Sequence, residues 1–370
     1  MTPGMSPAVA PATRRSTFHA LRVAEVERLT DDAAAVTFEV PAELADEFAF
    51  RPGQSLTLRR TVDGIEQRRT YSICAPAGAP PRVGVREVPD GLFSTWLVRS
   101  VRPGDVVEVQ PPTGRFCADP EAGGRHLCVA AGSGITPVLS IAASVLANPA
   151  AHVTVLYGNR TSRSVMFAEE LADLKDRYPA RLEVVHVLSR EPREVELFSG
   201  RLDRERLQRI LTALVPVAEL DHVWLCGPFG LVTDARAVLG ELGVTAGRVH
   251  AELFFVDEPP PDVRRSADAD VATGAGGGGT SEVAVVLDGR TTTVRLPRDQ
   301  PILDGASQTR ADLPFACRGG VCGTCRALVT AGEVDMRRNY ALDEDEVRRG
   351  FVLTCQTHPV GDRVAVDFDA

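Results

Sequence analysis

Residues 317–325 read Cys-Arg-Gly-Gly-Val-Cys-Gly-Thr-Cys, and with one later cysteine they form the series Cys317-x4-Cys322-x2-Cys325-x29-Cys355. Three thiolates on one tight loop can hold one side of a metal cluster, and a fourth from a distant segment can close it. The residues between them serve the same end. Gly319, Gly320 and Gly323 let the backbone wrap closely and turn N–H groups toward the charge on the sulfurs.

The first three cysteines fit the spacing of a plant-type [2Fe–2S] cluster. A structural zinc usually draws on two paired C-x2-C or H-x3-H units, and only one C-x2-C pair occurs here. Cys317, Cys322, Cys325 and Cys355 are therefore read as the cluster ligands. Of the eight cysteines in the chain, Cys74, Cys117 and Cys128 are expected as packed core residues. A cluster of thiols in a long chain without an apolar leader points to a metal site in a reducing compartment and not to disulfides.

Upstream of this loop the composition changes sharply. From Asp257 to Ser281 there are three consecutive prolines, a glycine run over 276–279 and no apolar periodicity, so the stretch is expected to be a flexible linker. The 282–370 segment after it opens with the hairpin pattern VAVVLDGRTTTVRL (283–296).

Before the linker lie two unlike regions. Residues 17–117 carry short β-rich runs punctuated by Pro and Gly, which predicts an antiparallel β-barrel. Residues 118–256 alternate buried-strand runs (HLCVAA, HVTVLYG, LEVVHVL, HVWLC) with helical patterns through Ile141, around Glu169 to Lys175 and after Pro228. That alternation predicts a doubly wound parallel sheet.

Hydrophobic residues make up 44% and charged residues 25% of the 370, an ordinary globular balance. The formal net charge of −9 is spread along the chain and offers no basic face for nucleic acid. No apolar run reaches the roughly 18 residues of a membrane span, so no membrane partner and a cytoplasmic location are expected.

Candidate ligand contacts fall at element ends. Arg69, Tyr71 and Ser72 follow a charged turn and are read as the start of a strand, where an arginine can grip pyrophosphate, a tyrosine can stack on a flat ring and a serine can bond a ring nitrogen. Gly91, Phe93 and Ser94 sit where a helix should begin, a position suited to phosphate. Gly132, Gly134, Thr136 and Pro137 come directly after the strand HLCVAA and open a helix, as a dinucleotide loop does, although the spacing departs from G-x-G-x-x-G.

The second parallel strand runs into Arg160, with no acid before Glu169 to take ribose hydroxyls. The third ends at Ser189 and Arg190, and Arg201 follows; converging guanidinium groups would suit a 2′-phosphate, with solvated surface arginines as the alternative. Cys226, Gly227 and Pro228 end the strand HVWLC at the same edge.

Taken in order, RTYS, GLFS, GSGITP, SRE, CGP and the four-cysteine series resemble the ferredoxin–NADP reductase family with a fused ferredoxin domain. The resemblance implies an FAD barrel, an NADP domain and a small α+β, β-grasp-like ferredoxin domain. It implies that Arg69, Tyr71, Ser72 and 91–94 hold FAD, that the glycine loop and the arginines hold NADPH, and that Ser72 and Cys226 act at the flavin and nicotinamide. Glu252, Phe254 and Phe255 are implied flavin neighbours. Hydride would pass from NADPH to FAD, and single electrons to the [2Fe–2S] cluster and then to an oxygenase. Among fused reductases the ferredoxin segment looks most like that of a phenylacetyl-CoA epoxidase complex, whose oxygenase is of the di-iron kind, with Rieske oxygenase reductases sharing the layout.

Overall fold

The computed structural model describes residues 17–62, 64–255 and 279–370. The first region comprises β1 (His19–Thr30), β2 (Ala33–Glu39), β3 (Ser55–Val62), β4 (Ile65–Ser72), β5 (Arg82–Arg86), helix α1 (Leu92–Arg99) and β6 (Val106–Val109). These strands form one six-stranded antiparallel sheet in the order β4-β3-β6-β1-β2-β5. The end of β4 meets the edge of β5 through the Ile73–Val83 bridge and the Cys74 N–H to Arg82 O bond of 2.8 Å, closing the barrel. Alternation explains the core: Leu21, Val23, Leu56, Leu58 and Phe38 point inward, and α1 covers one end with Phe93 and Leu97.

The Arg-Thr-Tyr-Ser run ends β4, where a strand start was expected. β4 pairs with β3 from Ile65 to Ser72, so Glu66, Gln67 and Arg68 are strand members and not a turn. Glu66 stays exposed, and the buried Arg68 guanidinium has its donors met by Glu66 and by the carbonyls of Leu313 and Ala311.

The second region runs β7 (Gly124–Ala131), α2 (Ile135–Val145), β8 (Ala151–Asn159), α3 (Ala168–Arg177), β9 (Leu182–Leu188), α4 (Arg204–Leu214), β10 (Leu220–Pro228), α5 (Phe229–Glu241) and β11 (Val249–Phe255). Its five parallel strands lie in the order β11-β10-β7-β8-β9. Along β7, Cys128 and Ala130 join one apolar cluster while Leu127 and Val129 join the other, so both faces are covered by helices. Cys74 and Cys128 are core residues as expected, but Cys117 is only half-buried, because it lies on the connection leaving the barrel.

The third region holds β12 (Thr280–Leu287), β13 (Arg290–Pro297), α6 (Ile302–Ala306), β14 (Arg326–Ala331), β15 (Val334–Met336), α7 (Glu344–Arg348), β16 (Phe351–Leu353), β17 (Thr357–Pro359) and β18 (Arg363–Asp367). A mixed sheet, β13-β12-β18-β14-β16, packs on α6, with β15-β17 alongside. The β12–β13 hairpin turns at Asp288 and Gly289, both with positive φ (52° and 67°), the backbone that Asp-Gly favours. Of the expected linker, 257–278 lies outside the described residues. Thr280 and Ser281 already belong to β12, and the Ser281 hydroxyl donates to Gly361 O at 2.6 Å.

Candidate functional site

In a doubly wound sheet the ligand crevice opens at the strand C-termini where the order reverses, here between β7 and β10. β7 runs into Gly132 and Gly134, and β10 ends in Cys226-Gly227-Pro228. A Cβ on Gly134 would lie 2.1 Å from the Cys226 carbonyl oxygen, so only glycine lets the two strand ends come together. The buried Tyr157 hydroxyl donates to Gly132 O at 2.9 Å and pins the loop. Thr136 donates to Ser133 O at 2.9 Å, the Ile135 N–H bonds back to the 132–133 carbonyls, and Thr136 and Pro137 are buried in α2, so these residues shape the turn.

The barrel contributes the opposite wall. Ser72 donates to Glu252 Oε2 at 3.0 Å, and Glu252 stands beside Cys226 in the β10–β11 register. Burial lifts the half-buried Glu252 carboxyl to about 7, against the opposing effect of the Ser72 bond. The Cys226 thiol is fully buried, and burial first, then Glu252, pushes it well above its ordinary value, so it stays a neutral donor.

On β4, Arg69 is exposed and Tyr71 half-buried, with Tyr71 6.2 Å from the Phe93 ring. Ser94 Oγ accepts from Val88 N at 3.0 Å and donates to Gly91 O at 3.2 Å, and Phe93 is only 2% exposed. Both side chains are therefore committed to the fold. What this turn offers a phosphate is the N-terminus of α1, which has no side-chain cap, while Arg69 stands exposed on β4. A Cβ on Gly91 would come within 2.6 Å of Ser94 Oγ, so the turn is tight enough to need glycine. This donor set fits a flavin dinucleotide.

A second edge forms at the ends of β8 and β9. Ser189 N–H donates to Asn159 O at 2.9 Å and Arg190 N–H to Arg160 O at 2.7 Å, which brings both arginines together. Arg201 follows Gly200, whose N–H bonds Leu188 O at 2.8 Å. Two carboxylates missed by sequence reasoning also reach this edge. Asp32, from the β1–β2 turn, accepts from Arg160 at 3.0 Å, and Glu191 accepts from the Ser162 N–H and hydroxyl at 2.8 and 2.9 Å. Burial alone would raise Asp32, but the Thr30 hydrogen bond and the charges of Arg86 and Arg160 bring it below the usual carboxylate range. No local pattern marks Asp32, which is 128 residues from Arg160.

The four expected cluster ligands lie as two pairs, Cys317 with Cys322 in the 317–325 loop and Cys325 with Cys355 from the turn after β16. Cys317 Sγ accepts from the N–H groups of Gly319 and Cys322 at 3.3 and 3.4 Å. The Cys322 thiol and these amides, together with that of Val321, hold Cys317 below its ordinary value. Cys325 pairs with Cys355, and both are 3% exposed. Among the described residues no group of three or more His, Cys, Asp or Glu side chains stands placed to hold a metal ion. Two pairs of thiols suit two irons, each taking two of the four sulfurs. Gly320 and Gly323 adopt φ of 78° and 68°, conformations that glycine supplies without strain.

Phe254 packs against the core beneath the crevice, while the Phe255 side chain lies outside the described residues. Among the described residues no helix is long and apolar enough to cross a membrane.

Comparison with known proteins agrees with this arrangement. Residues 20–117 match the oxidoreductase FAD-binding domain, 128–237 the oxidoreductase NAD-binding domain and 285–360 the 2Fe-2S iron-sulfur cluster binding domain. The chain is 42% identical over 360 residues to a component of 1,2-phenylacetyl-CoA epoxidase of Escherichia coli (strain K12), covering 96% of this chain and 99% of that protein. It is 36% identical over 358 residues to the ferredoxin reductase component of 3-ketosteroid-9-alpha-monooxygenase of Rhodococcus rhodochrous, covering 94% and 96%. Phthalate dioxygenase reductase shares the fold, with a TM-score of 0.58 at 23% identity over 95% of this chain and 98% of that one. With three cofactor regions in this order and full-length relatives of this kind, the chain belongs to the family of flavin- and nicotinamide-dependent oxidoreductases that carry a [2Fe–2S] ferredoxin domain and pass electrons to oxygenases.

Proposed function

We propose that this chain oxidises NADPH and delivers its electrons to a di-iron oxygenase of the phenylacetyl-CoA 1,2-epoxidase type. The observation that carries the partner is the full-length similarity to the epoxidase component of Escherichia coli. The preference for NADPH is supported by the meeting of Arg160 and Arg190 at the strand ends, with Arg201 close by. Bound FAD would supply the conversion of a hydride's electron pair into two single electrons.

The protein's own residues do the positioning. The 132–134 loop would hold the nucleotide pyrophosphate, and the arginine edge would hold the 2′-phosphate. Arg69 and the start of α1 would hold the flavin pyrophosphate, with Tyr71 against the ring. Ser72, Glu252 and Cys226 would line the place where nicotinamide and flavin meet: the buried thiol stays protonated, and the serine hydroxyl is oriented by the carboxylate.

A second reading, reductase of a Rieske oxygenase such as 3-ketosteroid 9α-hydroxylase, is favoured by the similarity to that reductase. A stand-alone NAD(P)H oxidase or quinone reductase would have no use for a one-electron outlet. The test is reconstitution of the brown-yellow protein, checked for a rhombic [2Fe–2S] EPR signal after dithionite. An epoxidase oxygenase assembly should form product with NADPH, and a steroid Rieske oxygenase should be served poorly. The reverse ranking would establish the second reading.

A further inference from the structure

Arg68 shares β4 with Arg69, Tyr71 and Ser72 but has no part in the crevice. It is only 5% exposed, and its guanidinium reaches the ferredoxin region. Nε donates to Glu66 Oε1 at 2.7 Å, while the two terminal nitrogens donate to Leu313 O and Ala311 O, each at 3.1 Å. The same group lies 4.3 Å over the ring of Phe315, and Arg318 lies 4.4 Å over that ring. Phe315 precedes the cluster ligand Cys317 by two residues, and Arg318 directly follows it.

A charge taken out of water is tolerated only when its donors are met. Here two of the three bonded partners belong to the segment leading into the cluster loop. A planar fork bonded to two carbonyls fixes orientation as well as distance, which one point charge does not. On the same strand Tyr71 lies three residues on, roughly 10 Å away at about 3.4 Å per residue. Among the described residues the ferredoxin region also meets the end of the barrel region in the Arg115–Glu346 ion pair, and the parallel-sheet region in the Phe229–Tyr340 ring contact at 5.6 Å.

We propose that Arg68 is the positioning residue for electron transfer from the flavin domain to the [2Fe–2S] domain, clamping the 311–315 segment so that the cluster loop is held against the strand that carries Tyr71. The inference rests on the electron-transfer reading above, but not on which oxygenase or which nicotinamide is used. Each transfer takes one electron from reduced flavin and reduces the cluster by one. NAD(P)H supplies the pair, and an external one-electron acceptor empties the cluster between transfers. Because electron transfer slows steeply with separation, loosening the clamp should act on this step and leave hydride transfer alone.

The test uses the holoprotein and the variants Arg68→Ala, Arg68→Lys and Phe315→Leu, each with its EPR signal intact. In anaerobic stopped flow with NADPH, flavin bleaching should keep its rate within twofold, while cluster reduction slows at least tenfold in Arg68→Ala. Arg68→Lys should also be slowed, since an ammonium does not reproduce the fork. Hydrogen exchange of the oxidised variants supplies the second readout: peptides covering 311–316 should lose protection, while those in β12 and β18 stay as in the wild type. Wild-type cluster reduction in Arg68→Ala, or slowed reduction with unchanged exchange at 311–316, overturns the clamp; if that variant loses its flavin, Arg68→Lys and Phe315→Leu decide by the same two readouts. A wild-type protein whose flavin bleaches while its cluster is never reduced would sink the electron-transfer reading itself, and the clamp with it.

Discussion

Ser72 and Glu252 are 180 residues apart, on a barrel strand and on the last strand of the parallel sheet, yet the serine hydroxyl donates to the carboxylate at 3.0 Å. This bond joins the barrel wall of the crevice to the wall formed by the parallel sheet. It also places an acid with a raised pKa beside the Cys226 thiol, so the crevice carries a group that titrates near neutrality.

Glu252 should leave a signature in stability against pH. The folded protein holds its proton up to about pH 7, whereas the unfolded chain releases it near 4.5. Stability from this group is therefore present below 4.5, falls as pH rises to about 7 and is level above. The shift corresponds to on the order of 3 kcal/mol. Glu252→Gln should remove this fall, so that urea unfolding at pH 8 finds the variant more stable relative to the wild type than at pH 5.

His126 should act in the opposite direction. It is 1% exposed, accepts from Trp224 Nε1 at 3.3 Å, and burial, reinforced by His222, pulls it down from 6.5 to about 4. The unfolded chain takes up this proton first, so stability is full above 6.5 and is lost as pH falls toward 4, by about 3 kcal/mol. His126→Gln, which keeps an acceptor but cannot become charged, should show a shallower loss between pH 6.5 and 4 in thermal melts. An identical slope in the variant would mean that other groups carry the acid sensitivity.

NADPH should be preferred over NADH, and Arg160→Ala or Arg190→Ala should weaken NADPH alone. Losing one charge-assisted contact to phosphate costs about 1.5–3 kcal/mol, roughly ten- to a hundredfold. Asp32→Asn should work the other way by releasing Arg160, and should tighten NADPH a few-fold with NADH unchanged. Dissociation constants for both nucleotides decide this, and equal losses with both would show that these arginines do not read the 2′-phosphate.

A chain ending at Val256 should bind FAD and reduce ferricyanide with NADPH at a near-native rate, because every proposed flavin and nicotinamide contact precedes that point. It should not reduce the oxygenase. Adding the ferredoxin part separately should restore transfer only at high concentration, since a tether of roughly 25 residues gives an effective concentration near millimolar. That part should begin at Gly279, because a start at Glu282 would remove Thr280 and Ser281 from β12. Loss of FAD from the shortened chain would mean that the contacts Arg68 makes with Ala311 and Leu313 are needed to hold the barrel together.

The amino-acid sequence alone determined the features that local spacing encodes. Four cysteines at fixed intervals, glycines at the tight turns, alternation in the barrel strands and apolar runs in the parallel sheet are each readable within a window of a few dozen residues. The β4 boundary was misread because charged residues on an edge strand look like a turn until their pairing with β3 is seen. Glu252 carried no signal beyond its resemblance. What only the tertiary structure decided were the partners across the fold: Glu252 for Ser72, Asp32 for Arg160, and the carbonyls of Ala311 and Leu313 for Arg68, at separations of 180, 128, 243 and 245 residues. A side chain's own neighbourhood in the chain fixes which face it takes, but not which distant group meets it there, because that depends on how the three regions pack together.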